Sequence, residues 1–319
     1  MKSYIIRSAA ALLLLCLFLS GCKEKDGLTA ETEDSDIVIV DALGYEHRVT
    51  EAPKRVAALI GSFAKIWTLA GGSLVAASAD AWTDFDLTLP DAVNVGGAHS
   101  PSAELLLSAR PDLVIASAST AKNVELRDLL TASGIRVVYY DVDNFEDYLK
   151  MLRELTLITG REDLYEKNGE SLRRQIEQTR TAFLESGIPE EQKRILLIRA
   201  SVSSIKAKGS TGTILGEMLY DMGCINIADT DGAILENLSV ESIVAANPYR
   251  IFVVTMGDDT EAAKEAAYGL FTENPALSKL DAVKEGRLHV MDKRLYNMKP
   301  CDRWADAYGE LYEILTQDK

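Results

Sequence analysis

Two kinds of pattern alternate along this chain. Short unbroken apolar runs, rich in Val, Ile and Ala, predict covered strands. Stretches with apolar positions every three or four residues predict helices with one buried stripe. Residues 37–40 and 47–49 flank Gly44-Tyr45 as a hairpin, and residues 56–60 form a strand after Pro53. A helix opens at Gly61-Ser62, runs through Leu69 and closes at Gly71-Gly72. A strand at 75–79, an irregular and partly aromatic loop at 82–90, a helix at 125–133 ended by Gly134, and a strand at 136–140 follow. Residues 144–159 and 163–185 are helical in pattern, with Gly160 between them. The second piece is roughly 35 Å long at 1.5 Å per residue, with Leu164, Tyr165, Leu172, Ile176 and Phe183 as its buried stripe. A strand at 194–199, a Gly-Ser-Thr turn at 209–213, a helix at 214–222 and a short strand at 226–227 come next. The chain closes with a helix at 262–268, a strand at 287–291 and a helix at 302–315.

One unit of this pattern occurs twice. Residues 102–116 read SAELLLSARPDLVIA, and residues 239–254 read SVESIVAANPYRIFVV. In each, a Ser stands two residues before a Glu (Glu104, Glu241), an apolar run follows, and a Pro (Pro111, Pro248) falls seven residues after the Glu. Proline cannot continue a helix and pushes the preceding residue toward extended geometry. Each unit therefore predicts helix, stop and strand. The recurrence predicts an α/β protein with two three-layer lobes and mainly parallel sheets. The first lobe covers 37–143 and the second 187–319, joined by a rigid helical connector at 144–186. A flexible linker would instead be rich in Gly and Ser.

The N-terminus stands outside this pattern. Lys2 and Arg7 precede an apolar run at 9–19, too short to span a bilayer and suited to a secretory signal over 1–21. It ends in Leu19-Ser20-Gly21-Cys22, which resembles a bacterial lipoprotein processing site, with Cys22 as the acylated residue. Residues 22–36 are polar and predict a flexible tether of roughly 20 Å root-mean-square span. The expected location is thus the extracytoplasmic face of a cell membrane, held by lipid. Composition adds two exclusions. A net charge of −15 leaves no basic stripe for nucleic acid. With 47% hydrophobic and 26% charged residues, the chain is globular rather than disordered. Cys224 and Cys301 could form one disulfide or remain two buried thiols, and no zinc-type spacing is present.

Over nearly all of the chain after Cys22, the order of motifs resembles the substrate-binding lipoproteins of bacterial ABC importers for ferric siderophores, haem or cobalamin. The likeness rests on PKRVAAL (53–59), PSAELLLSARPDLVIAS (101–117), the long helix, LSVESIVAANPYRIFVV (238–254) and GRLHVMD (286–292). It implies two α/β lobes on a rigid helix, ligand in the cleft between them, small lobe movements, and a monomer delivering its ligand to a permease and its ATPase. It also implies that Glu104 and Glu241 meet Arg residues of the permease, a match of carboxylate to guanidinium fork. The alternative is that each Glu merely sits in a first helical turn, where the helix dipole favours it by about 0.3–1 kcal/mol.

The carboxyl ends of parallel strands are where a cleft collects ligand contacts. By that criterion Trp82, His99, Arg199, Tyr296 and Arg303 are the candidate ligand-binding residues, with Ser201, Met256 and Trp304 weighed beside them. Aromatic faces suit aryl or planar ligands and Arg suits anionic chelates. Trp304 as core packing, Arg303 as a solvated helix residue and His99 as a helix-entry hydrogen bonder are the plainer readings. A haem carrier needs an axial ligand, for which His99, Tyr296, Met256 and Met298 qualify by type alone. Three widely spaced His disfavour direct zinc or manganese binding. An enzyme is the rival class. KGSTGT at 208–213 lacks the Walker spacing and no G-x-S-x-G elbow exists, so no cofactor and no catalytic residue is expected. The reading is a carrier for a metal chelate, a ferric siderophore before haem or a corrinoid, with an adhesive lipoprotein as a further alternative.

Overall fold

The computed structural model describes residues 37–257 and 259–317. The expected signal (1–21), tether (22–36) and Cys22 lie outside the described residues. Among the described residues, no helix is long and apolar enough to cross a membrane.

The chain enters as an antiparallel hairpin, Ile37–Val40 (β1) and Glu46–Val49 (β2). Asp41 holds its turn. One carboxylate oxygen accepts the N–H groups of Leu43 and Tyr45 at 3.0 and 2.9 Å, and the other lies 2.9 Å from His47 Nε2. Five strands then form a parallel sheet: Val56–Ala58 (β3), Leu74–Ala77 (β4), Val93–Asn94 (β5), Leu113–Ser117 (β6) and Arg136–Tyr140 (β7). Their order is β5-β4-β3-β6-β7, so the chain winds first to one side of β3 and then to the other. The switch point lies between β3 and β6. Helices Gly61–Leu69 (α1), Asp80–Thr83 (α2), Ala103–Ser108 (α3), Ala121–Glu125 (α4) and Arg127–Ala132 (α5) make the crossovers.

Phe145–Thr159 (α6) packs its apolar stripe on this first lobe. Asn144 and Asp147 close its start as a reciprocal capping box, and Gly160, left-handed at φ 67°, ends it. Glu162–Tyr165 (α7) leads through a π-helical turn at Glu166–Glu170 into Ser171–Leu184 (α8), which crosses to the second lobe. The expected single helix at 163–185 is therefore interrupted. The wide turn brings Gly169 so close to α6 that an added Cβ would lie 2.9 Å from Leu149 Cδ2. Tyr148 donates its hydroxyl to the Asn168 carbonyl at 2.7 Å, satisfying a group in the turn.

The second lobe repeats the winding. Arg194–Ser201 (β8) is its first strand, and Ser204–Lys208 (β9) returns antiparallel along its upper half. Ile214–Asp221 (α9), Ile225–Asn226 (β10), Gly232–Asn237 (α10), Val240–Ala246 (α11), Arg250–Thr255 (β11) and Thr260–Glu273 (α12) follow in turn. Asp281–Lys284 (α13), Leu288–Met291 (β12), Lys293–Tyr296 (α14) and Trp304–Thr316 (α15) complete it. The order is β10-β8-β11-β12, parallel throughout apart from β9, with its switch point between β8 and β11. The sequence pattern does not anticipate β9.

The repeated unit is a matched structural piece. Ser102 and Ser239 are the N-caps of α3 and α11, each accepting the N–H three residues on, at 3.3 and 3.2 Å. At the other end, Arg110 (φ 47°) and Asn247 (φ 40°) are left-handed. The extended geometry expected before Pro111 and Pro248 is thus corrected. The left-handed residue lets its N–H close the helix, onto Leu107 O and Ile243 O respectively, both at 3.0 Å. Arg55 donates to the Ala109 carbonyl at 2.6 Å, and Arg194 reaches the equivalent Ala246 carbonyl at 3.5 Å. Each Arg stands at the start of its lobe's first strand, so strand and helix end are tied alike in both lobes.

Alternation along the strands divides the core. Val114 and Ala116 face a core private to the first lobe, and Leu196, Ile198 and Ala200 one private to the second. The opposite faces, with Leu113 and Ile115, and Ile195 and Leu197, share one continuous core with α1, α6, α8, α9 and α15. Trp304 lies in it, fully buried, its ring 5.6 Å from Phe145 and 6.3 Å from Tyr148 of α6. At the far end of α15 the buried Arg250 donates to the Leu315 carbonyl at 3.0 Å. The connector is therefore a pair of packed helices, α8 and α15, with α15 anchored at both lobes.

Candidate functional site

The cleft is built where the strand ends of the two lobes meet. On the first lobe, α1 starts at Gly61, where a side chain has no room: an added Cβ would lie 2.7 Å from Ala81 N. Asp80 accepts the Gly61 N–H at 2.9 Å and fixes α2 against α1. Trp82 sits on α2, partly buried against the shared core, and not in the irregular loop expected at 82–90. The segment after it bridges the lobes. Arg294 of α14 donates to Asp86 Oδ2 at 2.7 Å and to the Thr83 carbonyl at 3.0 Å. Lys65 of α1 pairs with Asp302 at 3.5 Å, and the Cys301 thiol donates to the Ser62 carbonyl at 3.6 Å.

Two cavities flank the Arg294 bridge. One, of about 250 Å³, is lined by Lys65, Asp84, Asp86, Lys299 and Arg303 among others. The other, of about 590 Å³, is lined by Thr255, Thr260, Lys264, Met291 and Arg294 with Asp84. A third, of about 350 Å³, runs along α8, and several of its polar groups are paired with one another. Arg180 pairs with Asp221 at 3.0 Å, Tyr308 donates to Asp221 at 3.0 Å, and Arg173 donates to Glu146 at 2.9 Å.

Arg199 is different. It lies in β8, two residues before the strand's last residue, beside Val254 of β11, at the second lobe's switch point, and opposite Lys206 of β9. The antiparallel register puts Arg199, Lys206 and Lys208 on the same face of the sheet as the buried Leu197. Arg199 is partly buried, and its Nε has no hydrogen-bond partner among the described residues. Burial pushes its guanidinium below the ordinary value, with the Asp143 charge pulling the other way. Lys208 is lowered as well, by burial first and then by Arg199 and Lys206. Asp143, two residues before α6, is raised by burial and by Asp141, against the pull of Lys299 and Arg199. A desolvated guanidinium beside two lysines thus feels the charge of the partly buried Asp143 carboxylate.

The other expected ligand residues divide. Arg303 lines the smaller cavity, half exposed, with Nε 3.2 Å from Asp306. His99 is exposed in the loop before α3. Tyr296 is corrected: it is 1% exposed, and its hydroxyl donates to the Ala307 carbonyl at 2.9 Å, so it is a core side chain. Glu104 and Glu241 are both exposed, each in the first turn after its Ser cap. Cys224 and Cys301 are both buried free thiols, so the disulfide alternative falls. Burial pushes Cys224 up to about 12 and Cys301 higher still. Lys65, Asp143, Arg294 and Lys299 escaped the sequence reading, and Lys208 entered it only as the first residue of the KGSTGT turn.

Residues 56–295 match the family described as "Periplasmic binding protein". The Fe(3+)-citrate-binding protein YfmC of Bacillus subtilis (strain 168) is 24% identical over 308 residues, 92% of each chain. Among solved structures, Staphylococcus aureus SirA complexed with staphyloferrin B superposes with a TM-score of 0.69 at 21% identity, covering 87% of this chain and 98% of that one. The vitamin B12 binding protein BtuF of Vibrio cholerae gives 0.66 at 19% identity, covering 83% and 98%. With the family match spanning both lobes and the cleft between them, this chain belongs to the periplasmic binding protein family.

Proposed function

We propose that this protein is the lipid-anchored binding component of an ABC importer, capturing an iron chelate outside the cytoplasm and releasing it unchanged to a permease. The observation that carries the reading is Arg199: a desolvated guanidinium whose Nε has no hydrogen-bond partner among the described residues, at the switch point of a two-lobed cleft, fits an anionic chelate. The iron is cargo held by its chelator. Among the described residues no group of three or more His, Cys, Asp or Glu side chains could hold the metal directly. The similarity to a ferric-citrate-binding protein supports iron over cobalamin as cargo. Cys22 carries the anchor, and Glu104 and Glu241 dock a single copy of the chain on the permease, one per lobe.

Tryptophan fluorescence titration with ferric citrate, ferric hydroxamates, ferric catecholates, haemin and cobalamin tests the ligand. Saturable one-to-one quenching by an iron chelate is expected. Saturation by cobalamin alone would replace the iron reading. Glu104→Arg together with Glu241→Arg is expected to abolish uptake by cells while leaving chelate affinity intact. Uptake at the wild-type rate would sink the docking role.

A further inference from the structure

The first strand is more apolar than its surroundings require. β1 is four consecutive β-branched apolar residues, Ile37-Val38-Ile39-Val40, a pattern suited to a strand covered on both faces. The structure covers one face. Ile39 is buried in the shared core with Val49 of β2, and Ile37 packs against it. Val38 and Val40 lie on the opposite face and are 49% and 54% exposed, while Leu43 and Tyr45 in the turn are 38% and 41% exposed. Single exposed apolar residues are ordinary, but a cluster of them marks a contact surface. Charge around this cluster is balanced. Arg48, opposite Val38, has its Nε 3.3 Å from Glu46, which stands opposite Val40. The Arg127 guanidinium lies 3.9 Å from the Tyr45 ring centroid, with Nη1 3.3 Å from Asp128. The rim thus offers no net charge to a charged partner, and what remains is apolar contact.

We propose that this face of the hairpin rests on the lipid bilayer, with Val38, Val40, Leu43 and Tyr45 entering the headgroup boundary. The inference rests on the lipid-anchored carrier reading. Residues 23–36 separate Cys22 from β1, a length that spans roughly 20 Å root-mean-square as a flexible coil, so the hairpin is the part of the described chain that the anchor holds nearest the membrane. Four side chains fall well short of the roughly 800 Å² per partner of a stable protein interface. They suffice for a bilayer because the tether supplies them at an effective concentration of about millimolar order, and their contact adds to that of the lipid chains. A Tyr ring with its hydroxyl suits a boundary between water and hydrocarbon. The placement also serves docking. Ala42 N–H donates to the Tyr139 carbonyl at 2.8 Å, which ties the turn to the carboxyl end of β7. Ser102 N–H donates to the Val95 carbonyl at 2.6 Å, so α3 and Glu104 start at the carboxyl end of β5. β5 and β7 are the two edges of one sheet, and a hairpin seated on lipid would turn that end of the sheet toward the membrane.

The test uses the acylated chain reconstituted in phosphatidylcholine vesicles whose acyl chains carry bromine, a short-range quencher of tryptophan emission. Tyr45→Trp puts a reporter in the patch, and Tyr268→Trp puts one on α12 of the second lobe, at a position 38% exposed. With the patch held beside the bilayer at millimolar effective concentration, the emission added by Tyr45→Trp is expected to fall about twofold from plain to brominated lipid, and that added by Tyr268→Trp to stay unchanged. Val38→Asp with Val40→Asp should restore the Tyr45→Trp emission. Leu43→Asp alone should restore part of it, which guards against a folding defect in the double variant. Equal Tyr45→Trp emission in both lipids would overturn the proposal while leaving the anchor in place, and so would equal quenching of both reporters. A blue shift without quenching that grows with protein density would overturn it in favour of contact between protein surfaces. Failure of the chain to float with the vesicles would remove the anchor and the proposal together.

Discussion

Trp304 offers a measurable test of the continuous core. It opens α15 in the second lobe's chain, but its fully buried ring packs on Phe145 and Tyr148 of the first-lobe helix α6. Truncating a buried aromatic to Ala costs roughly 3–5 kcal/mol. With an unfolding entropy of about 2.1 cal/mol/K per residue, a body of about 280 residues loses about 0.6 kcal/mol of stability per degree near its midpoint. Trp304→Ala should therefore lower the melting temperature by about 7 °C. Trp304→Phe keeps most of the ring and deletes Nε1–H, which is buried without a partner among the described residues. The lost area and the removed orphan donor offset one another, so the shift should stay within about 2 °C. Differential scanning calorimetry reads both, and the wild type should melt in one transition because both lobes share the core. A loss under about 2 °C for the Ala variant, or two resolved wild-type transitions, would refute the continuous core.

Two further expectations follow from the same geometry. Arg199→Met removes a desolvated cation and keeps its apolar stem. It should raise the ligand-free melting temperature by about 1–3 °C while weakening a carboxylate chelate by roughly thirtyfold or more; unchanged affinity by titration would exclude Arg199 from the site. Ser102→Ala and Ser239→Ala each remove a helix cap worth about 1 kcal/mol, so calorimetry should show similar losses of about 2 °C, with ligand affinity unaltered. Markedly unequal losses would break the structural equivalence of the repeats.

The repeat was the most legible feature of the chain, because its signals are local. A Ser cap, an apolar run and a Pro act within a few residues, and both copies formed the same helix and strand. The residue before each Pro was misread because closing the helix end won over the extended preference. The strand Ser204–Lys208 shows polar-apolar alternation, but five residues of it are hard to tell from a turn until β8 offers an edge to pair with. The π-helical turn has no local signature, since it depends on Gly169 meeting α6. In the cleft, position was legible and direction was not. Arg199 and Tyr296 both follow strand-like segments. Arg199 lies within the strand, near its carboxyl end, on the face it shares with Leu197. Tyr296 lies on the short α14, which turns its hydroxyl inward to Ala307. Asp143 and Lys299 acquire meaning only when the lobes are placed together.

The links between the lobes differ in strength, and the difference bears on how a ligand is recognised. The Arg294–Asp86 pair has side chains 44% and 73% exposed, and pairs of that kind contribute about 0–1 kcal/mol. The Trp304 junction contributes several times more. Ligand can therefore displace the exposed bridge at small cost, but it cannot swing the lobes far without opening the shared core. A cleft of that kind has to carry its specificity in place beforehand, as charge held at fixed positions on rigid strand ends, rather than gain it through closure. Arg199, near the carboxyl end of β8, meets that requirement, since its strand is paired on both sides and buried on both faces. The same core fixes the separation of Glu104 and Glu241, because α3 and α11 are tied to the first strand of each lobe through Arg55 and Arg194. Small shifts at the strand ends on ligand capture would thus be passed to Glu104 and Glu241, the carboxylates proposed to dock, without loss in soft linkers. On the proposed docking role, a permease reading their spacing would respond to sub-ångström to ångström changes, the scale a packed core permits.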